Sequence, residues 1–355
     1  MRPLFGAEEK YELSAYLEED GFFTEFKKTE AFEKMIADYV GAKHCIVVNN
    51  GTVSLTLAAL AMDIGPGDEV IVPNYTMIAT PNSVKMLGAI PVFVDVEPVT
   101  LVMDVVLART AITSRTKAIM LVSANGRTPL AGIDAFEALS RETGIPLIED
   151  AAQSLGSFYD HRHVGRAGAV ASLSFSAPKI ISTGQGGALF TDDDELAAKL
   201  RRLKDFGRAA GGTDLHDSIG YNFKFTELQA CVGLAQMRQL PGRVKRKKAI
   251  WERYREKLEG CKGVRLFDHD LQRCTPWFID CMAAERDELA AHLAENGIGT
   301  RVMYPPINAQ KAYQVEGSFP VSEEVGRRGL WLPSMVQLTD SQIDYICASI
   351  RHYYD

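Results

Sequence analysis

The chain of 355 residues is 46% hydrophobic and 24% charged, enough to bury a large core, which excludes a disordered tail or a small disulfide-stapled module. Its 39 Lys and Arg against 46 Asp and Glu give a net charge of −7, a sign that argues against nucleic acid as a partner. Cys45, Cys231, Cys261, Cys274, Cys281 and Cys347 form no Cys-x-x-Cys pair, so no zinc site is expected and they read as reduced, mostly buried thiols. The segment from Met1 to Lys10 becomes charged before an apolar run of signal-peptide length develops, and no later window approaches the roughly 18 uncharged apolar residues of a membrane span. A cytoplasmic protein with no membrane partner is expected.

In chain order, short apolar runs alternate with amphipathic segments. Cys45 to Val48 is followed by the polar turn Asn49-Asn50-Gly51-Thr52 and a helical stretch from Val53 to Met62. Glu69 to Pro73, Ile90 to Asp95, Ala118 to Val122 and Pro146 to Asp150 read as further strands. Buried strands separated by helices predict an α/β, doubly wound, mostly parallel sheet. Asp160 to His163 reads as the polar turn of a hairpin with both imidazoles, His161 and His163, at the surface. Around Leu228 to Arg238 the pattern turns helical, Pro241-Gly242 interrupts it, and a long helix then runs to Leu258. Arg243, Lys245, Arg246, Lys247 and Lys248 on that helix are followed at helical spacing by Glu252, Glu256 and Glu259, the pattern of a solvated face. Trp277 to Ile279 as a strand, Asp287 to Asn296 as a helix and Asp340 to Tyr353 as a final helix suggest a smaller α+β domain. The expected division is residues 1–240 for an N-terminal segment and large domain, and 241–355 for the small one. Trp251, Trp277 and Trp331 read as core or interface packing.

Three elements carry chemistry. The turn at Asn50-Gly51-Thr52 opens a helix whose free N–H groups favour an anion, although taken alone it is better accounted for by an ordinary N-cap from Asn50 or Thr52. In Leu147 to Gln153 a carboxylate, Asp150, ends a buried strand at the edge where open α/β sheets place ligands. A buried acid needs a cationic partner, and a protonated pyridine nitrogen would supply one; an N-cap for the next segment is the plain alternative. Lys179 follows the strand around Ser172 to Phe175, precedes the turn Gly184-Gln185-Gly186-Gly187, and has no carboxylate within five residues. A desolvated lysine has a lowered pKa and can form a Schiff base, while a loop lysine is more commonly just exposed. The order of the three, with the lysine 29 residues after the acid, suits one molecule of pyridoxal phosphate.

Through Asn50-Gly51-Thr52, Gly65 to Pro73, Glu149 to Gln153, Ser174-Phe175, Gly184 to Gly187, Gly220-Tyr221-Asn222 and Leu332-Pro333, the chain resembles the DegT-type sugar aminotransferases. That resemblance implies a fold-type I enzyme with a large doubly wound domain and a smaller C-terminal α+β domain. Its cofactor would be pyridoxal 5′-phosphate. Lys179 would form the Schiff base and shuttle the proton, and Asp150 would pair with the pyridine nitrogen. Gln153 would bond near the phenolic oxygen, while Gly51, Thr52 and Ser174 would hold the phosphate. Met77 would cover the ring where an aromatic residue is frequent, and Asn222 would reach the phosphate in the neighbouring subunit of a homodimer. The implied substrates are an amino donor, usually glutamate, and a keto-sugar, usually nucleotide-linked, for amino-sugar and surface-polysaccharide synthesis. Ser176, Lys224, Gln185 and Asn308 depart from the family's usual His, Arg, Glu and His, and Arg301 and Tyr304 fall near the expected site. The rivals are a sugar dehydratase of the same family and a low-turnover regulatory protein that binds the cofactor; Lys179, replaced by histidine in the dehydratase variant, argues against the first, and Lys179 with Asp150 against the second.

Overall fold

The computed structural model describes residues 3–19, 21–209 and 213–355. Helices α1 (Ala7–Glu18) and α2 (Lys27–Val40) precede strand β1 (His44–Val48), α3 (Gly51–Ala61), β2 (Glu69–Pro73), α4 (Ala79–Lys85), β3 (Ile90–Val94), α5 (Val105–Thr110), β4 (Thr116–Val122), α6 (Ile133–Thr143) and β5 (Leu147–Asp150). The hairpin β6 (Phe158–Tyr159) and β7 (Arg162–His163) follows, then β8 (Val170–Ser174), β9 (Gly187–Thr191), α7 (Asp194–Lys204) and α8 (Glu227–Leu258). The chain ends with β10 (Val264–Leu266), β11 (Ile279–Ala283), α9 (Arg286–Glu295), β12 (Arg301–Val302), α10 (Pro320–Arg328), β13 (Gly329–Leu332) and α11 (Asp340–Tyr354).

Seven strands form one sheet in the order β1-β9-β8-β5-β4-β2-β3. β9 runs antiparallel to both of its neighbours, and the other pairings are parallel. Both faces are covered, so strands such as β2 are buried at every residue and read as unbroken apolar runs rather than alternating ones. The carboxyl ends of β1, β2, β5 and β8 and the start of β9 therefore share one edge. The second sheet, β10-β11-β13-β12, is antiparallel throughout. It packs with Trp251 and Tyr254 of α8 and with Leu289, Ile343, Ile346 and Ile350 of α9 and α11. Trp277 and Phe278, expected within a strand, instead lead into β11, which starts at Ile279.

Pro241 does not interrupt the chain: α8 runs unbroken through it for 32 residues. A proline inside a helix costs about 3 kcal/mol, which is offset because both halves are anchored. Gly233 lies so close to the Phe32 ring that a Cβ there would stand 2.6 Å from it, and Trp251 and Tyr254 are fully buried. The division expected at residue 240 falls inside this helix, with the large sheet's strands before it and the small sheet's strands after it.

The basic stretch on α8 is only in part the solvated face that was expected: Lys245 is exposed and Arg246 pairs with Asp340 at the surface. Arg243 and Lys247 are buried, the first donating to Ile180 O at 3.0 Å and Leu4 O at 3.0 Å, the second to Ser334 O at 2.6 Å and to Trp277 O. Carbonyls of distant segments take the place of the glutamate partners read from helical spacing.

His163 also differs from its expected surface position. The hairpin forms, with His161 exposed at φ 66° in the turn, but His163 is buried among Tyr39, Phe158 and Phe190 and accepts from Gly156 N at 3.3 Å. Desolvation lowers its pKa from 6.5 to about 4. Such a depressed histidine stabilises the fold above the unfolded pKa and loses that contribution as the pH falls from about 6.5 toward 4. Urea unfolding should therefore show stability dropping between pH 7 and 5, and His163→Phe should remove about 2 kcal/mol of that drop. An unchanged pH slope in the variant would contradict the buried neutral imidazole.

Candidate active site

After β1 the chain turns into α3, capped by Asn50, whose side chain accepts from Val53 N at 2.9 Å. The N-cap reading is thus correct, and it leaves the Gly51 and Thr52 N–H groups without an acceptor among the described residues. The start of α3 lies beside the end of β8, and its free amides and helix dipole make an arrangement suited to an anion. A Cβ on Gly51 would stand 2.8 Å from Ser174 Cβ, and one on Gly187 2.6 Å from Asn50 O. Glycine is required at both positions by close approach, and the result is a cradle built from Gly51, Thr52 and Ser174. Gly51→Ala should push α3 away from Ser174 and weaken pyridoxal phosphate binding by roughly tenfold or more. Titration of the cofactor-free chain measures this, and unchanged affinity would contradict the cradle.

Asp150 ends β5, 5% exposed. Its Oδ2 accepts from Thr80 Oγ1 at 2.8 Å and its Oδ1 from Ala152 N at 3.1 Å. Burial pushes its carboxyl above the usual range, against the pull of these two bonds and of the Lys179 charge. Lys179 sits in the loop after β8, held by its own N–H to Ser176 O at 3.0 Å and by Thr183 N to Phe175 O at 3.0 Å. Desolvation brings its pKa down from 10.5 to about 8, with Asp150 opposing the shift. Gln153, Ser174, Lys179 and Trp277 line one small pocket. The Gln153 side-chain oxygen accepts from Asn125 N at 2.7 Å, and Asn125 holds a left-handed φ of 55° to offer that N–H.

The remaining expected residues are placed unevenly. Met77 follows β2 and is 45% exposed in the single chain, its sulfur accepting from Ala79 N at 3.0 Å. Asn222 is exposed, next to Phe223, whose carbonyl accepts from Asn49 N at 3.2 Å. Ser176 N bonds Ser174 Oγ at 3.4 Å, while Lys224 is bound to Asp205 Oδ1 at 2.9 Å. Asn308 is a buried strut, exchanging two bonds with Asn74. The Gln185 carbonyl accepts from Gln229 Nε2 at 2.7 Å. The Arg301 guanidinium lies 5.4 Å from the Trp331 ring centroid, and Tyr304 packs edge-on to that ring and tilted against Tyr75. Burial pushes the Tyr304 hydroxyl well above its ordinary pKa. Sequence reasoning missed Thr80, Asn125 and Trp277. Thr80 lies three residues beyond Met77, but only the fold brings it onto Asp150.

An anion cradle, a buried carboxylate and a desolvated amine gathered at one sheet edge fit the phosphate, the pyridine nitrogen and the aldehyde of pyridoxal phosphate, and the fold is that of the fold-type I aminotransferases. The chain belongs to the DegT/DnrJ/EryC1/StrS aminotransferase family, whose pattern matches residues 4–351. It is similar to GDP-perosamine synthase of Escherichia coli O157:H7, 34% identical with 99% of this chain and 97% of that protein covered. The GDP-perosamine synthase of Caulobacter vibrioides is 36% identical over 90% of this chain and 88% of its own length. Among solved structures, S. venezuelae DesV in complex with a ketimine intermediate superposes with a TM-score of 0.92 at 33% identity, covering 98% of this chain and 94% of that one. The protein is a pyridoxal-phosphate-dependent sugar aminotransferase of amino-sugar biosynthesis.

When bound, pyridoxal phosphate supplies an aldehyde for a covalent link and a pyridine ring that accepts electrons. Gly51, Thr52 and Ser174 would hold its phosphate. Asp150, fixed by Thr80 and Ala152, would keep a proton on the pyridine nitrogen. Lys179 Nζ, its pKa brought down to about 8 by desolvation, would take a proton from the donor's Cα and return it near neutral pH, because a catalytic group works best when its pKa lies near the working pH.

Proposed function

We propose that the protein moves an amino group from glutamate to the carbonyl carbon of a nucleotide-linked keto-sugar, in the cytoplasm, as a homodimer whose sites are shared. The observation that carries the reading is the desolvated Lys179 within electrostatic reach of buried Asp150. The names of the GDP-perosamine synthases that the chain is similar to support a nucleotide-linked sugar. All six cysteines are unpaired, in keeping with a reducing compartment, and among the described residues no helix is long and apolar enough to cross a membrane. For the dimer, Phe22, Phe23, Phe206, Leu215, Ile219 and Tyr221 leave apolar side chains exposed on segments joined through the Thr24–Thr226 and Asp205–Asn222 bridges. Burying such a surface favours a second copy. Asn222 is exposed on one of these same segments, which supports a reach toward a partner's site.

Glutamate added to the cofactor-loaded protein should convert the cofactor's aldehyde absorption to that of the amine form, and a nucleotide-linked keto-sugar should reverse it. No conversion with glutamate would remove it as donor, and no reversal with any such sugar would remove the acceptor class. The shared site has its own test. Mixing Lys179→Ala with Asn222→Ala chains, under conditions of subunit exchange, should regenerate one site with both residues intact and recover up to about a quarter of wild-type activity. Recovery no greater than that of the separate variants would leave each subunit self-sufficient.

A further inference from the structure

Trp277 precedes the small sheet, yet its backbone and side chain are both fixed at the site. Its N–H donates to Asn125 Oδ1 at 2.8 Å, its carbonyl accepts from Lys247 Nζ, and its indole Nε1 donates to Pro178 O at 2.7 Å. The ring packs on Phe278 and Trp331 and is 5% exposed, so these bonds lie away from water, where a missing partner is most costly. The Lys179 ammonium stands 4.0 Å from the centroid of that ring, well inside the reach of a cation–π contact. An indole placed only for packing needs neither a bond to the peptide preceding the lysine nor the lysine's charge on its face.

We propose that Trp277 is a positioning residue for Lys179, its indole face serving as the resting place of the free amine and its N–H holding the peptide that carries it. Between the two halves of an amino transfer the lysine is released, and a long flexible side chain freed in water would lose its aim. Against the indole it keeps one position and some of the stabilisation that desolvation takes from the charged form. The other charged groups around it are Asp150 at the end of β5, which attracts it, and Arg243 and Lys247 of α8 behind the loop, bound to Ile180 O, Trp277 O and Ser334 O. The inference rests on Lys179 being the working amine, but its test uses cofactor-free protein and so stands or fails separately from that role.

Competitive acetylation of the cofactor-free chain across pH 6 to 11, read by mass on the Lys179 peptide, gives the midpoint of its deprotonation. Trp277→Leu keeps an apolar wall but removes the face, and should lower that midpoint by about one unit. Trp277→Phe restores a ring face and should return most of the shift. A midpoint unmoved in the leucine variant, or equally lowered in the phenylalanine variant, would overturn the proposal, since packing alone predicts lost stability without this pattern. In the chain with Trp277 intact, reductive ¹³C-methylation should give Lys179, assigned by its loss in Lys179→Ala, a methyl signal shifted upfield by the ring current. A signal at the position of the exposed lysines would equally overturn it.

Discussion

Lys179→Ala should cut turnover by at least about a thousandfold, because a single side chain supplies both the covalent link and the proton transfer. Cofactor binding should fall far less, since Gly51, Thr52 and Ser174 are untouched and Asp150 keeps its bonds to Thr80 and Ala152. Steady-state assay and equilibrium dialysis of the variant separate the two quantities. Loss of binding in step with turnover would mean that the cradle alone does not hold the phosphate. The variant also strips Asp150 of the cation that opposes its burial, so the carboxyl should become still harder to ionise in the cofactor-free chain.

Asp150→Asn should lower both half-reactions by about a hundredfold or more, because an amide offers no negative charge to keep the pyridine nitrogen protonated. Its stability should move the other way. In the cofactor-free chain the desolvated carboxylate is a liability, and a neutral amide of the same shape can accept from Ala152 N through its oxygen and donate its NH2 to Thr80 Oγ1, so the melting temperature should stay level or rise. Single-turnover kinetics alongside thermal unfolding reads both effects. Near-normal rates would remove the pyridine-pairing role, and a large drop in melting temperature would mean that Asp150 is mainly a structural acid.

The central sheet was legible because its strands are buried on both faces, so each announced itself as an apolar run; β2, Glu69–Pro73, occupies the very residues that the sequence marked out. Asp150 stood out as a polar residue at the end of such a run, and Lys179 as a cation in the loop after β8 with no carboxylate near it in sequence. What stayed hidden depends on contacts between distant segments. Thr80 meets Asp150 across 70 residues, and Trp277 meets Pro178 across 99, separations at which no local spacing rule applies. The basic stretch of α8 misled at Arg243 and Lys247 because charge patterning assumes that glutamates answer cations along one helix, whereas Lys247 is answered by backbone carbonyls from other parts of the chain and Arg243 by such carbonyls together with Gln236 and Gln239. His163 misled because a polar turn was taken to be wet on both arms, although strand alternation sends its side chain inward while Arg162 points out. Pro241 was read by its local cost alone, without the burial on either side of it.

Borohydride reduction of the cofactor-loaded protein followed by peptide mapping tests the central claim most directly, because it fixes the cofactor to whichever amine holds it. The site predicts one label, on the peptide carrying Lys179, and none on that carrying Lys247, a buried lysine whose pKa desolvation also lowers. A label on Lys247 or on any other lysine, with Lys179 unmodified, would contradict it.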